Sequence, residues 1–479
     1  MGPSLRDVAL GLAVTAALGC GSSSASPDAS IPDASAADIV APDLSSPDVR
    51  SPAADAGAPA DIAVDLGAPP PTSGPPTYWR DVAPILRARC GDCHVESGVG
   101  PFTLTSYADA RDRAALLVNV TEDRRMPPWP ASSTCRPLQA PRVMTDAEIS
   151  TLRAWYEADT PEGDPASYRE PEGLPDALPA PDFTAQAAMP YVPPTTATDD
   201  YRCFVIDPGW TERHSVTALR VVPGEPRTVH HLNVFEVKAA AVEELQRVDD
   251  RDPGEGYRCF SGPGVSIGSA ASLRVQMVAG WAPGTPLLRT PPGTAIRVDP
   301  GSRIVLQVHY NQLAHRGLPD RSRVDLWYSD RDSRRQAMVI PVTVDDFSIP
   351  PGASDHPVER SLSPRDLGIP LNFTLYGVYG HMHGFGRSFH AEVQRAADGG
   401  ATDCMLDIPR WNFHWQQFYM FDEPVRIGPD DRVRVQCRFD NSPANQPVID
   451  GVQRQPVTVR EGSGTLDEMC MGFFYVTFL

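Results

Sequence analysis

Val305-Leu306-Gln307-Val308-His309-Tyr310-Asn311 reads as an uninterrupted strand, and it sets the texture of the larger, C-terminal part of this 479-residue chain. Short apolar runs of the same kind, at 219–222, 234–237, 304–310, 337–344, 371–379 and 433–439, alternate with Pro, Gly and Asp turns. No long 3.6-residue period appears among them. The stretch 195–479 is too long for one ordinary domain and sufficient for two. The expectation is two antiparallel β-sandwiches of jelly-roll type, at 195–350 and 351–479.

Upstream stands Cys90-Gly91-Asp92-Cys93-His94. The spacing C-x-x-C-H suits covalent attachment of a c-type haem, with a thiol for each vinyl group and His94 under the iron. A zinc or redox C-x-x-C beside an incidental histidine is the other reading. The flanks favour haem. Residues 78–89 read as a short helix with Val82, Ile85, Leu86 and Arg89 at 3–4 spacing. A second helix opens on a capping box, Thr145 with Glu148, and carries Ile149, Leu152 and Trp155/Tyr156 as an apolar stripe. A helix leading into the haem motif and a terminal helix packed across it resemble the small c-type cytochromes, which implies an all-α cytochrome c domain at 78–160. The sixth iron ligand would be a soft, neutral donor. Met126, in a loop stiffened by Pro127 and Pro128, is the first candidate, and Met144 is its rival.

The N-terminus reads as an address. Arg6 precedes an apolar run at 8–18, too short to span a bilayer, that ends in Ala17-Leu18-Gly19-Cys20. This resembles a bacterial lipobox, with 1–19 as signal peptide and Cys20 as the lipidated first residue; an ordinary secretion signal is the alternative. Gly21, where Asp would favour retention, leans toward the outer membrane. Residues 20–77 carry no aromatic before the border at Tyr78 and repeat Asp at 28, 33, 38, 43 and 48, the composition of a disordered linker. With eight Asp against one Arg between 21 and 77, this stretch supplies about seven of the chain's 19 net negative charges. The acidic balance therefore describes the tether more than the folded part, and it argues against nucleic acid as a partner. A second linker is expected at 161–194.

The strand region holds three histidine groups: His230-His231, the lone His309, and His381-Met382-His383. Strand neighbours point to opposite faces, so His230 and His231 can share a metal only at a strand end, a bulge or a strong twist. His381 and His383, two apart, leave the same face. Taken singly, each has a plain alternative as a core or surface histidine, and Met469 as a core methionine.

Their order is more specific. H-H, then Val308-His309-Tyr310-Asn311, then His381-Met382-His383-Gly384, and finally Asp467-Glu468-Met469-Cys470, resemble the type 2 copper, ascorbate-dependent monooxygenases of the peptidylglycine- and dopamine-hydroxylating kind. The resemblance spans about 200–479. It implies two copper ions. One would be held by His230, His231 and His309 as an electron-holding site on the first sandwich. The other would be held by His381, His383 and Met469 as the catalytic, O2-activating site on the second, where a thioether favours the cuprous state. Of nine cysteines, six remain after lipid and haem: Cys135, Cys203, Cys259, Cys404, Cys437 and Cys470. Spacing alone allows fifteen pairings. The resemblance implies Cys203–Cys259 and Cys437–Cys470; Cys135 and Cys404 are left over, and a bond between them would report how the cytochrome docks.

Two departures bear on the substrate. Peptide-amidating members carry an arginine two residues before H-x-H, where this chain has Tyr379, and the residues after Cys470 are apolar. An apolar or aromatic small molecule therefore fits better than a peptide terminus, with 411–415 as a possible lining. The sequence expectation is an exported, lipid-anchored copper monooxygenase fed through its haem by an unidentified donor. The competing reading is a non-catalytic electron-transfer or copper-holding lipoprotein. No hydrolase motif stands out, and His214, His315, His356 and His390 read as ordinary residues.

Overall fold

The computed structural model describes residues 74–478, with short breaks at 92, 97–99, 140–141, 172–177, 260–261, 267, 270–271, 283–284, 286, 313–314, 330–334, 369–370, 398, 414, 450–451, 463 and 465. The signal segment, Cys20 and nearly all of the first linker lie outside the described residues.

The helical part starts with a π-turn at Tyr78–Val82 that continues as α1 (Ala83–Arg89), followed by α2 (Tyr107–Arg111), α3 (Ala114–Glu122) and α4 (Asp146–Glu157). Pro84, which has no N–H to donate, sits where the π-turn passes into α1. The capping box of α4 forms as expected: Thr145 Oγ1 accepts from Glu148 N–H (3.1 Å) and Glu148 Oε2 accepts from Thr145 N–H (2.7 Å). Glu148 also accepts from Arg89 Nε at 2.9 Å, so one carboxylate both caps α4 and ties it to the end of α1. Val82, Leu86, Leu104, Leu117, Met144, Leu152 and Trp155 form the core between the helices. Of the ambiguous pair in the α4 stripe, Trp155 turns inward at 1% exposure and Tyr156 outward at 46%.

The remainder is β. The strands used below are β1 (Phe183–Gln186), β2 (Asp199–Ile206), β3 (His214–Val222), β4 (Val229–Val237), β5 (Val275–Trp281), β6 (Thr294–Val298), β7 (Arg303–Asn311) and β8 (Arg323–Tyr328) in the first half. The second half has β9 (Arg335–Thr343), β10 (His356–Leu362), β11 (Phe373–His381), β12 (Gly386–Gln394), β13 (Thr402–Ile408), β14 (Phe418–Ile427), β15 (Arg432–Phe439) and β16 (Met471–Phe478).

In the first sandwich the run β1-β8-β3-β6 packs on a sheet ordered β2-β7-β4-β5, extended beyond β2 by Tyr257–Arg258. Leu219, Leu232, Val234, Leu306, Val308 and Leu326 interdigitate between them. In the second sandwich β9-β16-β11-β14 packs on β10-β15-β12-β13, around Leu375, Phe389, Leu406, Phe421, Val435 and Phe439. Alternation along each strand puts one face into its core. A two-residue parallel contact between β6 and β9 joins the sandwiches into one long sheet.

The structure differs from the sequence expectation at two borders. β1 lies inside the stretch read as a linker, and pairs with β8 over four residues. Pro and Asp dominate the sequence around it, which hid a four-residue edge strand. β9 falls within the expected first sandwich but pairs over seven residues with β16, so the change of sandwich comes before Arg335.

Three disulfides form: Cys203–Cys259, Cys437–Cys470 and Cys135–Cys404. The last anchors a strap, residues 127–139, that leaves the helical part after α3. The strap lies along the two edge strands of the second sandwich. Ser132 N–H donates to Asp407 O on β13, Gln139 N–H donates to Met420 O on β14, and Trp129 packs edge-on against Tyr419 at 5.2 Å. Among the described residues no helix is long and apolar enough to cross a membrane. The Cys135→Ser/Cys404→Ser variant is expected to lose about 2–5 kcal/mol of unfolding free energy and to become cleavable by trypsin at Arg142, whose guanidinium otherwise lies over the Trp415 ring. Denaturant unfolding and limited proteolysis check both.

Candidate metal centre

β4 and β7 pair antiparallel, and their register carries the first histidine group. His309 lies opposite His231 and Tyr310 opposite Val229, so His230 is the extra residue of a β-bulge. This is one of the three ways in which adjacent strand residues can serve one site. The ligand nitrogens of His230, His231 and His309 all lie within 4.8 Å of one another. His309 Nδ1 is 3.3 Å from His231 Nδ1, while His309 Nε2 lies 2.8 Å from Asp199 Oδ1. A carboxylate accepts, so Nε2 carries the proton and the Nδ1 lone pair faces His231. Tyr201, opposite His309 on β2, stacks on its ring at 4.1 Å and 6°. Asp199 and Tyr201, two apart on β2, thus serve the same face.

The second group begins where β11 ends. His381 is its last residue, opposite Met471 of β16. Met382 turns into the second core and is fully buried, leaving His381 and His383 with rings 5.2 Å apart. Gln416 Oε1 lies 2.7 Å from His381 Nδ1, and Gln416 Nε2 donates to Phe413 O at 2.8 Å, which fixes the amide's orientation. His383 Nδ1 lies 3.0 Å from Asp467 O. Both partners accept, so both Nδ1 atoms are protonated and both Nε2 lone pairs are left for a metal. Burial pushes His381 down to about 4 and His383 down to about 3. It also holds His231 well below the ordinary imidazole range, helped by His309 and His230. These imidazoles are neutral, as ligands must be.

Met469 lies between two anchors. On one side, Glu468 is fully buried, and its carboxylate accepts from the N–H groups of His383 (2.8 Å), Phe385 (2.6 Å) and Met469 itself (3.2 Å). On the other, Cys470 is bonded to Cys437 of β15. Tyr379, at the position of the family's arginine, is buried, with its hydroxyl 3.5 Å from Gln416 Oε1.

The two groups face each other. The His231 and His381 rings are 5.9 Å apart. Phe413 stacks on His230 at 4.3 Å and lies 6.2 Å from His383. Thr285 of the first sandwich donates to Gln416 O. The site is thus one buried seam between sandwiches. His414, in the aromatic run, lies outside the described residues. Sequence reasoning missed Asp199, Tyr201, Gln416 and any role for Glu468. The Asp199/Tyr201 alternation was a readable signal, whereas nothing local marks Gln416.

In the helical part, His94 Nδ1 lies 2.9 Å from Phe102 O, leaving Nε2 with the lone pair that an axial ligand needs. A Cβ on Gly100 would come within 2.7 Å of that Nδ1, so the close turn over His94 demands glycine. Cys90 and Cys93 are the two described cysteines outside disulfides. These residues fit a covalent haem; Asp92 lies outside the described residues. Met126 stands at the head of the strap, 41% exposed, while Met144 is buried at 3% in the core cluster that Cys90 borders.

The depressed imidazoles set the acid response of the metal-free protein. Below about pH 6.5 the unfolded chain takes up protons that His381 and His383 refuse in the fold. Stability is therefore full above that pH and falls toward pH 4 by about 1.4 kcal/mol per unit for each histidine. Urea unfolding at about pH 7 and about pH 5 reads it; equal stabilities would contradict the burial argument.

Among curated proteins none matches the chain. Solved structures give weak likenesses. The major capsid protein P2 of bacteriophage PM2 is 9% identical over 62% of this chain and 98% of its own, with a TM-score of 0.23. PNGF-II is 11% identical over 63% and 62%, also at 0.23. The infectious bursal disease virus VP2 subviral particle is 10% identical over 64% and 74%, at 0.16. Scores this low carry no argument. Residues 336–478, from β9 to the end of β16 and including His381, His383 and Met469, match the family model of the copper type II ascorbate-dependent monooxygenase, C-terminal domain.

Proposed function

We propose that this chain is a copper-dependent monooxygenase that hydroxylates a C–H bond of a small apolar or aromatic molecule with O2. Electrons reach it through a c-type haem on the helical part. The observation that carries this reading is the seam itself. Five imidazoles, four of them buried and His231 half-buried, converge from two sandwiches, and His309, His381 and His383 each have the second ring nitrogen committed to an acceptor. The family match over 336–478 supports the same chemistry for the second half.

The residues divide the work. His230, His231 and His309 would hold one copper, and His381, His383 and Met469 the other. When bound, these coppers would supply one-electron storage and the site at which O2 is reduced. Asp199, Gln416 and the Asp467 carbonyl keep the imidazoles aimed, so that little reorganisation is needed between oxidation states. Phe413, against His230 and His383, and Tyr379, beside His381, are the apolar walls of the seam. Tyr379 in place of a cation leaves no grip for a carboxylate at that position, which favours a neutral substrate. A haem joined to Cys90 and Cys93 and ligated by His94 and Met126 would supply electrons singly, with Met144 as the competing sixth ligand. Three disulfides belong to an oxidising compartment. Export with a lipid on Cys20, toward the outer membrane, is part of the proposal.

Elemental analysis of protein matured outside the cytoplasm is the first test. One iron and two coppers per chain are expected, with one copper lost in His309→Ala and the other in His383→Ala. One iron without tightly bound copper would sink the monooxygenase reading and leave an electron carrier.

The haem ligand is checked separately by absorption spectroscopy. Met126→Ala is expected to abolish the weak red band that a thioether gives ferric haem, and Met144→Ala to retain it. The reverse pattern would transfer the role to Met144.

A further inference from the structure

Glu468 is a carboxylate with no exposed surface, and among the described residues no arginine or lysine pairs with it. Its partners are backbone. Oε2 accepts from His383 and Met469, and Oε1 from Phe385. His383 lies beyond the last residue of β11, so no sheet ladder serves its N–H. A carboxylate has lone pairs enough to gather all three donors from two separate segments. Burial pushes its proton affinity up, while the backbone donors oppose that by favouring the charged form.

The geometry points to Glu468 as a positioning residue for the second copper site, one that locks the H-x-H turn and the thioether segment together before any metal arrives. The inference rests on reading His381, His383 and Met469 as copper ligands. Its physical content is the freedom of methionine. A Met side chain has three rotatable bonds and adapts to almost any surroundings, so a thioether ligand is only as well placed as its backbone. Here the residues on both sides of Met469 are fixed. Glu468 is bound to the turn that carries His383, and Cys470 to β15 across the sandwich. The Glu468 carboxylate is what makes the His383 and Met469 positions a single unit; the disulfide ties Met469 to the opposite sheet and does not touch the turn.

The test compares wild type, Glu468→Gln, Glu468→Asp and Met469→Ala as full-length protein loaded anaerobically with Cu(I). Copper K-edge absorption reads the copper–sulfur contribution, and infrared spectroscopy reads carbon monoxide bound at the open site. Glu468→Gln has one acceptor where two are needed. It is expected to keep the first copper and all three disulfides, to lose the copper–sulfur contribution, and to bind the second copper about 10–100-fold more weakly. Glu468→Asp, which keeps both carboxyl oxygens on a shorter side chain, is expected to recover part of the sulfur contribution. A merely structural role would lower stability without touching these signatures.

A folded Glu468→Gln with wild-type sulfur and carbonyl signals would overturn the proposal. If Glu468→Gln does not fold, Glu468→Asp decides, and a wild-type spectrum there also overturns it. Failure of both to fold would overturn it as well, by making Glu468 a residue of the scaffold. A wild type whose spectrum already equals that of Met469→Ala would remove the thioether assignment, and the proposal with it.

Discussion

A neutral imidazole has one N–H and one lone pair, and burying it leaves both needing a partner. That constraint organises the seam between the two sandwiches. Each ring whose N–H is satisfied by the protein presents its lone pair to the centre. Asp199, Gln416 and the Asp467 carbonyl thereby decide which nitrogen of His309, His381 and His383 is available. Leaving a buried donor without an acceptor costs about 1–3 kcal/mol, so these partners stabilise the fold as well as orient the rings. The demand propagates outward. Gln416 can accept from His381 only because Phe413 O holds its amide in the right sense, and Thr285 from the other sandwich holds its backbone.

Much of this was legible in the sequence, for identifiable reasons. Strand alternation and turn residues displayed the β architecture, and the capping box at Thr145 and Glu148 marked a helix start that the structure contains. The adjacent pair His230-His231 required a bulge, strand end or twist, and a bulge is present. The disulfides Cys203–Cys259 and Cys437–Cys470 followed from the family resemblance, since spacing left fifteen pairings open. What stayed hidden depends on long-range pairing. Nothing local in β9 says that it prefers β16, 128 or more positions away, over its neighbours in sequence. Nor does Gln416 advertise that its amide will meet His381. The facing of the two histidine groups is a property of how sandwiches pack, and no residue pattern within either one encodes it.

The helical part and the β part follow one design at two sites. In each, a histidine held by a main-chain carbonyl, His94 by Phe102 and His383 by Asp467, has its tautomer set by backbone that side-chain mutation cannot remove. In each, the sulfur residues near the histidine are adjusted to their task. Cys90 and Cys93 stay out of disulfides, while Cys470 is locked into one beside the methionine that the family pattern singles out.

The strap at 127–139 has a meaning beyond attachment. β13 and β14 are the last strands of their sheets, on the same side of the second sandwich, and the strap meets main-chain groups of both. Uncovered sheet edges are templates for pairing with other chains. A shortened protein that begins after the helical part would bare both edges together and invite self-association. The N-terminal segment therefore acts as a guard against aggregation for the β sandwiches, whatever else it carries, and the two halves of the chain are a poor subject for separate expression.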